Sequence, residues 1–305
     1  MSVNYLKWHS PQEINFKKEM IFRNNNLLTQ FTSNLLSQNV GLLSSTNVAR
    51  HISLFIIYNL QMKAIILAAG MASRLRPLTN NTPKCLLKVG ERCLLQRSMD
   101  ALIKNGISEF VIVTGYLHEM IEDFVAKQYA NSIKVTFIHN EVFDSTNNIY
   151  SLWLARPEAE NEEILLLDSD LLYDPEIVAR VLANNSDNVL TLIRHELGEE
   201  EMKVVVDKEG SILEISKTCK VADAAGESLG IEKMGKEYTK ALYAELEPMM
   251  NEEHLENKFY ELAFERLLAK NQTYKVLDVT ELFSCELDTV EDFENAKAKI
   301  PAELF

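Results

Sequence analysis

A few charged residues stand in this chain where chemistry on phosphate would need them. Asp170 follows the apolar run Ile164-Leu165-Leu166-Leu167, after Asp168 and Ser169, and Asp288 closes Cys285-Glu286-Leu287. Aspartate is a poor strand residue, and an ionised carboxylate at a strand end needs a partner. Two such carboxylates at strand ends of one sheet suit Mg²⁺, which takes oxygen ligands from one or two carboxylates plus substrate phosphates. Helix capping competes with that reading: Asp288 precedes a predicted helix over 290–299, and Asp174 precedes Pro175. Asp168 shares the strand face of Asp170 by period-two alternation and is a rival ligand.

The basic counterpart lies near residue 70. Residues 64–67 are wholly apolar and read as a buried strand. The run passes through Leu67, Ala68, Ala69 and Gly70 to Arg74 and Arg76, then to Pro83-Lys84. Small residues let the backbone approach a ligand, and backbone N–H groups with Arg and Lys form an anion cradle. No Gly-Lys-Ser/Thr closes the loop, so it is not a Walker loop, and it is not Gly-x-Gly-x-x-Gly. An ordinary strand-to-loop turn with a solvated basic patch is the competing reading.

The surrounding elements must position these groups. Helical apolar spacing runs over 92–105, with Gly106 as its stop. Strands are predicted at 110–116, 134–139 and 163–168, and helices at 119–129 and from Ser151 to Ala155. That alternation implies a mostly parallel sheet with helices on both faces and ligands beyond the carboxyl ends of the strands. Further on come a helix over 175–183, a strand over 189–194 and a hairpin of 202–207 with 211–216 around Lys208-Glu209-Gly210. A strand over 228–234, helices over 235–250 and 259–270, strands at 274–279 and 284–287 and the helix over 290–299 complete the chain. The fold class is α/β: a single domain over 62–305 with a Rossmann-like central sheet and a small inserted antiparallel lobe. Residues 1–61 are rich in Asn, Ser, Gln and Leu without clear periodicity, and read as an N-terminal extension outside the catalytic core.

Composition narrows the class. The chain has 305 residues, 47% hydrophobic and 25% charged, ordinary for a globular protein. A net charge of −14 argues against broad nucleic-acid or anionic-membrane binding. Arg74, Arg76, Lys84 and Lys88 are nevertheless locally basic, which suits a small polyphosphate held with a divalent metal. Cys85, Cys93, Cys219 and Cys285 form no Cys-x-x-Cys pair, so a zinc site is not expected, and scattered cysteines fit a reducing, cytoplasmic setting. No apolar run reaches the roughly 20 residues of a membrane span.

Leu-Ala-Ala-Gly-x-x-x-Arg-Leu…Pro-Lys resembles the signature of the nucleoside-triphosphate transferases that activate sugar phosphates and phospho-alcohols. The usual pattern has a second glycine where this chain has Ala72. Ser169-Asp170 resembles the Gly-Asp that supplies the family's first metal ligand, and Glu286-Leu287-Asp288-Thr289 its Glu-Ile-Asp-Thr element, which supplies the second. The resemblance covers about residues 62 to 300 and implies a GT-A-like fold, Mg²⁺ on Asp170 and Asp288, and Arg74 and Lys84 on the triphosphate and departing pyrophosphate. Asn147-Asn148-Ile149-Tyr150-Ser151-Leu152 resembles the branch that activates phosphocholine or 2-aminoethylphosphonate with CTP. Leu67 to Gly70, Asn147, Asn148 and Ser151 would then face the nucleotide. Ile215-Ser216-Lys217 and Gly226-Glu227-Ser228-Leu229-Gly230-Ile231 also resemble that branch. Lys217 would meet the acceptor phosphate or phosphonate, against a solvated hairpin lysine. Glu227 would face an ammonium, against a surface carboxylate. A quaternary ammonium binds aromatic faces, for which Tyr150, Trp153, Tyr173 and Tyr260 are candidates, against ordinary core packing. Two other functions stay open: a sugar-1-phosphate or inositol-phosphate nucleotidyltransferase, and a non-catalytic nucleotide-binding regulator.

Overall fold

Strand β1, Lys63–Ala68, is buried from Ala64 onward, as its unbroken apolar run requires. The computed structural model describes residues 62–130 and 132–304, so the expected extension over 1–61 lies outside the described residues. After β1 come a short hairpin, β2 (Lys88–Val89) and β3 (Arg92–Cys93), then α1 (Leu94–Lys104). Next are β4 (Glu109–Thr114), α2 (His118–Tyr129), β5 (Lys134–His139), α3 (Asn148–Leu154) and α4 (Arg156–Ala159). β6 (Ile164–Asp168) and β7 (Leu171–Tyr173) lead to α5 (Glu176–Ala183), β8 (Val189–Ile193), β9 (Lys203–Val206) and β10 (Ile212–Ser216). The chain closes with β11 (Gly226–Met234), α6 (Lys236–Asn251), α7 (Glu261–Leu268), β12 (Lys275–Asp278), β13 (Ser284–Glu286) and α8 (Val290–Lys299).

The predicted helix over 92–105 starts late. Arg92 and Cys93 are held extended by pairing with β2, where Gly90 makes the turn at φ 67°. The helix predicted from Ser151 instead starts at Asn148, with Asn147 as its N-cap.

The central sheet runs β10-β9-β11-β6-β1-β4-β5, with β8 on β11 and β12 on β8. Strands β6, β1, β4 and β5 are mutually parallel, so their carboxyl ends share one edge. β11 runs antiparallel to β6 and brings its start, Gly226 to Leu229, to that same edge. The antiparallel lobe is continuous with the main sheet, because β11 pairs with β9 at its first residues and β6 at its last.

A second, two-stranded sheet matters most for chemistry. β7 pairs antiparallel with β13, Leu171 opposite Glu286. The expectation that Asp170 and Asp288 end strands of the central sheet is corrected here. β6 ends at Asp168, and the two aspartates flank the β7–β13 ladder, tied by the Leu287 amide donating to the Asp170 carbonyl at 3.2 Å. A separate core of Leu75, Leu87, Leu94, Leu172, Leu287 and Phe293 packs this ladder against the basic loop after β1. Removing these apolar faces from water is what holds the loop's cations over the ladder's anions.

Candidate active site

The loop after β1 enters the site through Ala72, which sits in the left-handed region at φ 47°, ψ 53°. A short turn, Ser73–Leu75, follows, and Thr79 Oγ1 donates to the Ala72 carbonyl at 2.9 Å. The left-handed backbone explains why glycine is usual at this position. Lys84 Nζ lies 2.9 Å from Asp170 Oδ2 and 2.7 Å from Asp288 Oδ1, and Arg74 lies 2.5 Å from Asp288 Oδ2. The four residues thus meet although more than 200 positions separate Lys84 from Asp288.

Glu286 joins them. Oxygens of Asp170, Glu286 and Asp288 all lie within 4.8 Å of one another. Asp170 Oδ1 is buried without a hydrogen-bond partner. Three carboxylates with one free buried oxygen are a hard donor set that could hold a divalent cation. Electrostatics fit the crowding. Burial pushes the Glu286 carboxyl up to about 8, reinforced by the charges of Asp170 and Asp288. Burial would also raise Asp288, but Lys84 and Arg74 outweigh it and hold that carboxyl below its usual value. Burial opposes the Lys84 ammonium, yet the two aspartates win and its pKa is raised. The capping alternative for Asp288 falls away, because Thr289 caps α8 in a reciprocal capping box with Asp292. Asp174 does serve as a cap, its Oδ1 accepting from the Glu176 amide at 2.9 Å.

The carboxylates form one wall of a cleft of about 560 Å³ at the shared carboxyl edge. Leu67, Ala68, Ala69 and Gly70 line it, together with Arg74 and Lys84. Here β4 passes very close: a Cβ on Gly115 would sit 2.6 Å from the Ala69 carbonyl oxygen and 2.7 Å from Phe143 Cβ. Asn147, Asn148 and Ser151 line the same cleft. Asn147 Oδ1 accepts from the Asn148 amide at 2.8 Å, and Asn148 Oδ1 accepts from the Tyr260 amide at 2.9 Å. Buried Asn140 donates to Thr146 Oγ1 at 3.1 Å and Ser151 Oγ at 3.3 Å, fixing this wall.

Across the cleft stand Lys217 and Glu227. Lys217 Nζ lies 3.5 Å from a Glu200 carboxylate and 4.7 Å from the Phe259 ring centre. Glu227 Oε2 is 2.6 Å from His195 Nε2. His195 Nδ1 is 2.9 Å from the Glu196 carbonyl oxygen, so both ring nitrogens meet acceptors, as an imidazolium requires. Burial works against the His195 cation, but Glu227 and that carbonyl raise its pKa.

The aromatic expectations fare differently. Tyr173 is buried in β7 among core residues, and Tyr150 and Trp153 pack against the main core, so none of the three lines the cleft. Tyr260 is fully buried and donates to Asp168 Oδ2 at 2.9 Å. That bond takes Asp168 away from the metal-type cluster, which is built from Asp170, Glu286 and Asp288. Glu286 escaped the sequence reading although alternation places it on the face of Asp288, which was the available signal.

A cradle of small residues and cations beside clustered carboxylates, at the carboxyl edge of such a sheet, defines a nucleotidyl-group transferase. The nucleotidyl transferase family matches residues 63–215, half of the chain, and the chain belongs to that family. Its relatives include a choline-phosphate cytidylyltransferase of Streptococcus pneumoniae, 39% identical over 110 residues, which are 36% of this chain and 46% of that protein. A CTP:phosphoglutamine cytidylyltransferase of Campylobacter jejuni is 25% identical over 255 residues, 76% of this chain and 98% of the relative. The match to the pneumococcal relative thus spans less than half of its length. The solved CTP:phosphocholine cytidylyltransferase of Streptococcus pneumoniae superposes with a TM-score of 0.65 at 22% identity, over 78% of this chain and 98% of that one. That likeness shows the shared fold.

Proposed function

We propose that this protein transfers CMP from CTP to a small phosphate or phosphonate acceptor, with release of pyrophosphate and dependence on Mg²⁺. The observation that carries the reading is the convergence of Arg74, Lys84, Asp170 and Asp288 on one wall of a cleft whose other walls bear Asn147, Asn148, Ser151 and Lys217. The cytidylyltransferases among the relatives support CTP as the nucleotide.

An acceptor oxygen attacks the α-phosphorus of CTP; the new O–P bond forms as the bond from that phosphorus to the bridging oxygen breaks, and its electron pair leaves with pyrophosphate. The acceptor is already an anion, so no protein nucleophile is required, and catalysis rests on positioning and charge neutralisation. Arg74 and Lys84 hold the triphosphate and offset the charge that builds on the departing pyrophosphate. Lys217 orients the acceptor anion from the far wall. Asp170 and Asp288, with Glu286 beside them, would hold Mg²⁺, which when bound supplies Lewis-acid neutralisation at the phosphates. Residues 62–305 suffice for this activity.

A pyrophosphate-release assay tests the reading. Release should require CTP, Mg²⁺ and an acceptor together, and should fall when UTP, GTP or dTTP replaces CTP. Equal release with sugar 1-phosphates and dTTP would replace it with the sugar-activating alternative.

A further inference from the structure

Arg74 rides on a loop with little regular structure of its own. From Gly70 to Lys84 the backbone forms no strand and no α-helix, only the short turns at Ser73–Leu75 and Lys84–Leu86. The Arg74 side chain is 64% exposed, so packing around the guanidinium does not place it. Its position therefore depends on whatever fixes the backbone, since a charge carried on a free loop is placed poorly.

One residue outside the loop meets both of its limbs. The Tyr116 amide, just past the end of β4, donates to the Ala69 carbonyl at 3.0 Å and ties down the entering limb. Tyr116 Oη reaches the returning limb, 3.0 Å from the Thr79 carbonyl oxygen and 2.8 Å from that of Asn80. A phenol has one proton to donate, so the two carbonyls share it. Among the described residues no other donor reaches either carbonyl. Thr79 passes the constraint inward. It is fully buried, and its Oγ1 donates to the carbonyl of left-handed Ala72, next to the turn that carries Arg74. The Tyr116 ring stands tilted against Phe143, centroids 6.2 Å apart, a contact that packs the phenol in place.

We propose that Tyr116 is a positioning residue for the triphosphate. It does not line the cleft; its amide and hydroxyl hold the two limbs of the loop together, and Thr79 relays that hold to the turn bearing Arg74. The cations are thereby set before a nucleotide arrives, and binding free energy is not spent on ordering the loop. A phenylalanine would pack equally well, but only the hydroxyl spans the limbs. The inference rests on the CMP-transfer reading above in taking the ligand of this loop to be a triphosphate. It follows that the effect is blind to the base and to the acceptor.

Tyr116→Phe removes the hydroxyl and keeps the ring. With Mg²⁺ present, calorimetric titration should show tripolyphosphate, CTP and UTP all weakened by about five- to ten-fold, the range expected for a lost hydrogen bond that strands its acceptors. The preference for CTP over UTP should not move, because the loop meets phosphates and not the base. In pyrophosphate release, KM for CTP should rise by the same factor while KM for the acceptor stays at the parent's value. Thr79→Val, which loses the tie to Ala72, should weaken tripolyphosphate likewise, and Thr79→Ser, which keeps the hydroxyl, should bind it nearly as the parent does. Unchanged binding of tripolyphosphate and CTP by Tyr116→Phe overturns the assignment even where its melting temperature falls, since the hydroxyl then serves stability alone. A parallel rise in both KM values overturns it as well. Tripolyphosphate binding that weakens as expected, in a protein that releases no pyrophosphate from CTP with any acceptor, upholds the clamp and overturns the transfer reading instead. A parent that binds neither tripolyphosphate nor CTP overturns both.

Discussion

At the scale of single residues, Lys84 is a cation clamped between two carboxylates. It is 11% exposed and satisfies two carboxylates at once. Its replacement by methionine leaves Asp170 and Asp288 facing each other without their ammonium, at a cost of about 1–3 kcal/mol in this half-solvated setting. Lys84→Met should therefore melt lower than the parent in EDTA, lose pyrophosphate release, and gain a larger rise in melting temperature from Mg²⁺ than the parent does. A smaller Mg²⁺ shift in the variant would show that these carboxylates do not share one cation site. Asp170→Asn removes one of the oxygens suited to Mg²⁺ while keeping size and fold. Turnover should fall by about a hundred-fold or more, corresponding to about 3 kcal/mol of lost charge neutralisation, with the circular dichroism spectrum unchanged. Near-normal turnover in that variant would remove Asp170 from the metal site.

Elements explain why these residues meet. The loop after β1 must reverse tightly at Ala72, a left-handed residue without the freedom of glycine. Ala72→Gly relieves a cost of about 1 kcal/mol, partly offset by glycine's greater unfolded-state entropy. The variant should match or slightly exceed the parent's stability in urea while keeping its turnover; a clear loss of stability would mean that the alanine methyl packs better than the backbone strain costs. Gly115 sits at the opposite extreme. A methyl there collides with backbone and ring at once, so Gly115→Ala must push the Ala69 strand end away from β4. The expected result is a loss of about 1–3 kcal/mol in stability and a raised KM for CTP, read by urea unfolding and steady-state kinetics.

For the whole molecule, the buried acids set a pH dependence of stability. Burial moves the Glu261 carboxyl from 4.5 to about 7, and Asp168 and Glu232 shift the same way, first through burial and then through neighbouring carboxylates, Asp170 and Glu261 for Asp168, Asp168 and Glu261 for Glu232. The folded chain then holds these protons to higher pH than the unfolded chain does. Stability from Glu261 is full below about pH 4.5 and is lost as pH rises through about 7, by about 3 kcal/mol. Urea midpoints of the ligand-free protein should fall from pH 5 toward about pH 8, and less steeply in Glu261→Gln; parallel profiles would show that Glu261 is ionised throughout. A chain beginning at Met62 should keep the parent's pyrophosphate release, and loss of turnover in that shortened but folded chain would give residues 1–61 a catalytic part.

Much of this was legible before any fold was known. Apolar runs such as Ile164-Leu165-Leu166-Leu167 are long enough, and free enough of polar interruption, to dictate buried strands. The small residues of Leu67 to Gly70, with Arg74 and Lys84 after them, announced an anion cradle. Helix bounds were less secure, because two residues of β3 took their conformation from a cross-strand partner and not from their own preference. The aromatic rings show the same limit from another side: Tyr150 and Tyr173 carry the right chemistry for a cation, but which face of an element meets the core is decided by what packs on it, and both turned inward. Glu286 was readable by alternation with Asp288, yet its membership in the carboxylate cluster depends on β13 pairing with β7 across more than a hundred residues. Glu232 and Glu261 were invisible as buried acids, since only the packing of β11 and α7 takes their side chains out of water. Local sequence determined the cradle, the strands and the identity of the acids. The tertiary structure alone decided which acids share a site and which lie without a partner, because burial and proximity are properties of packed elements and not of the residues taken one by one.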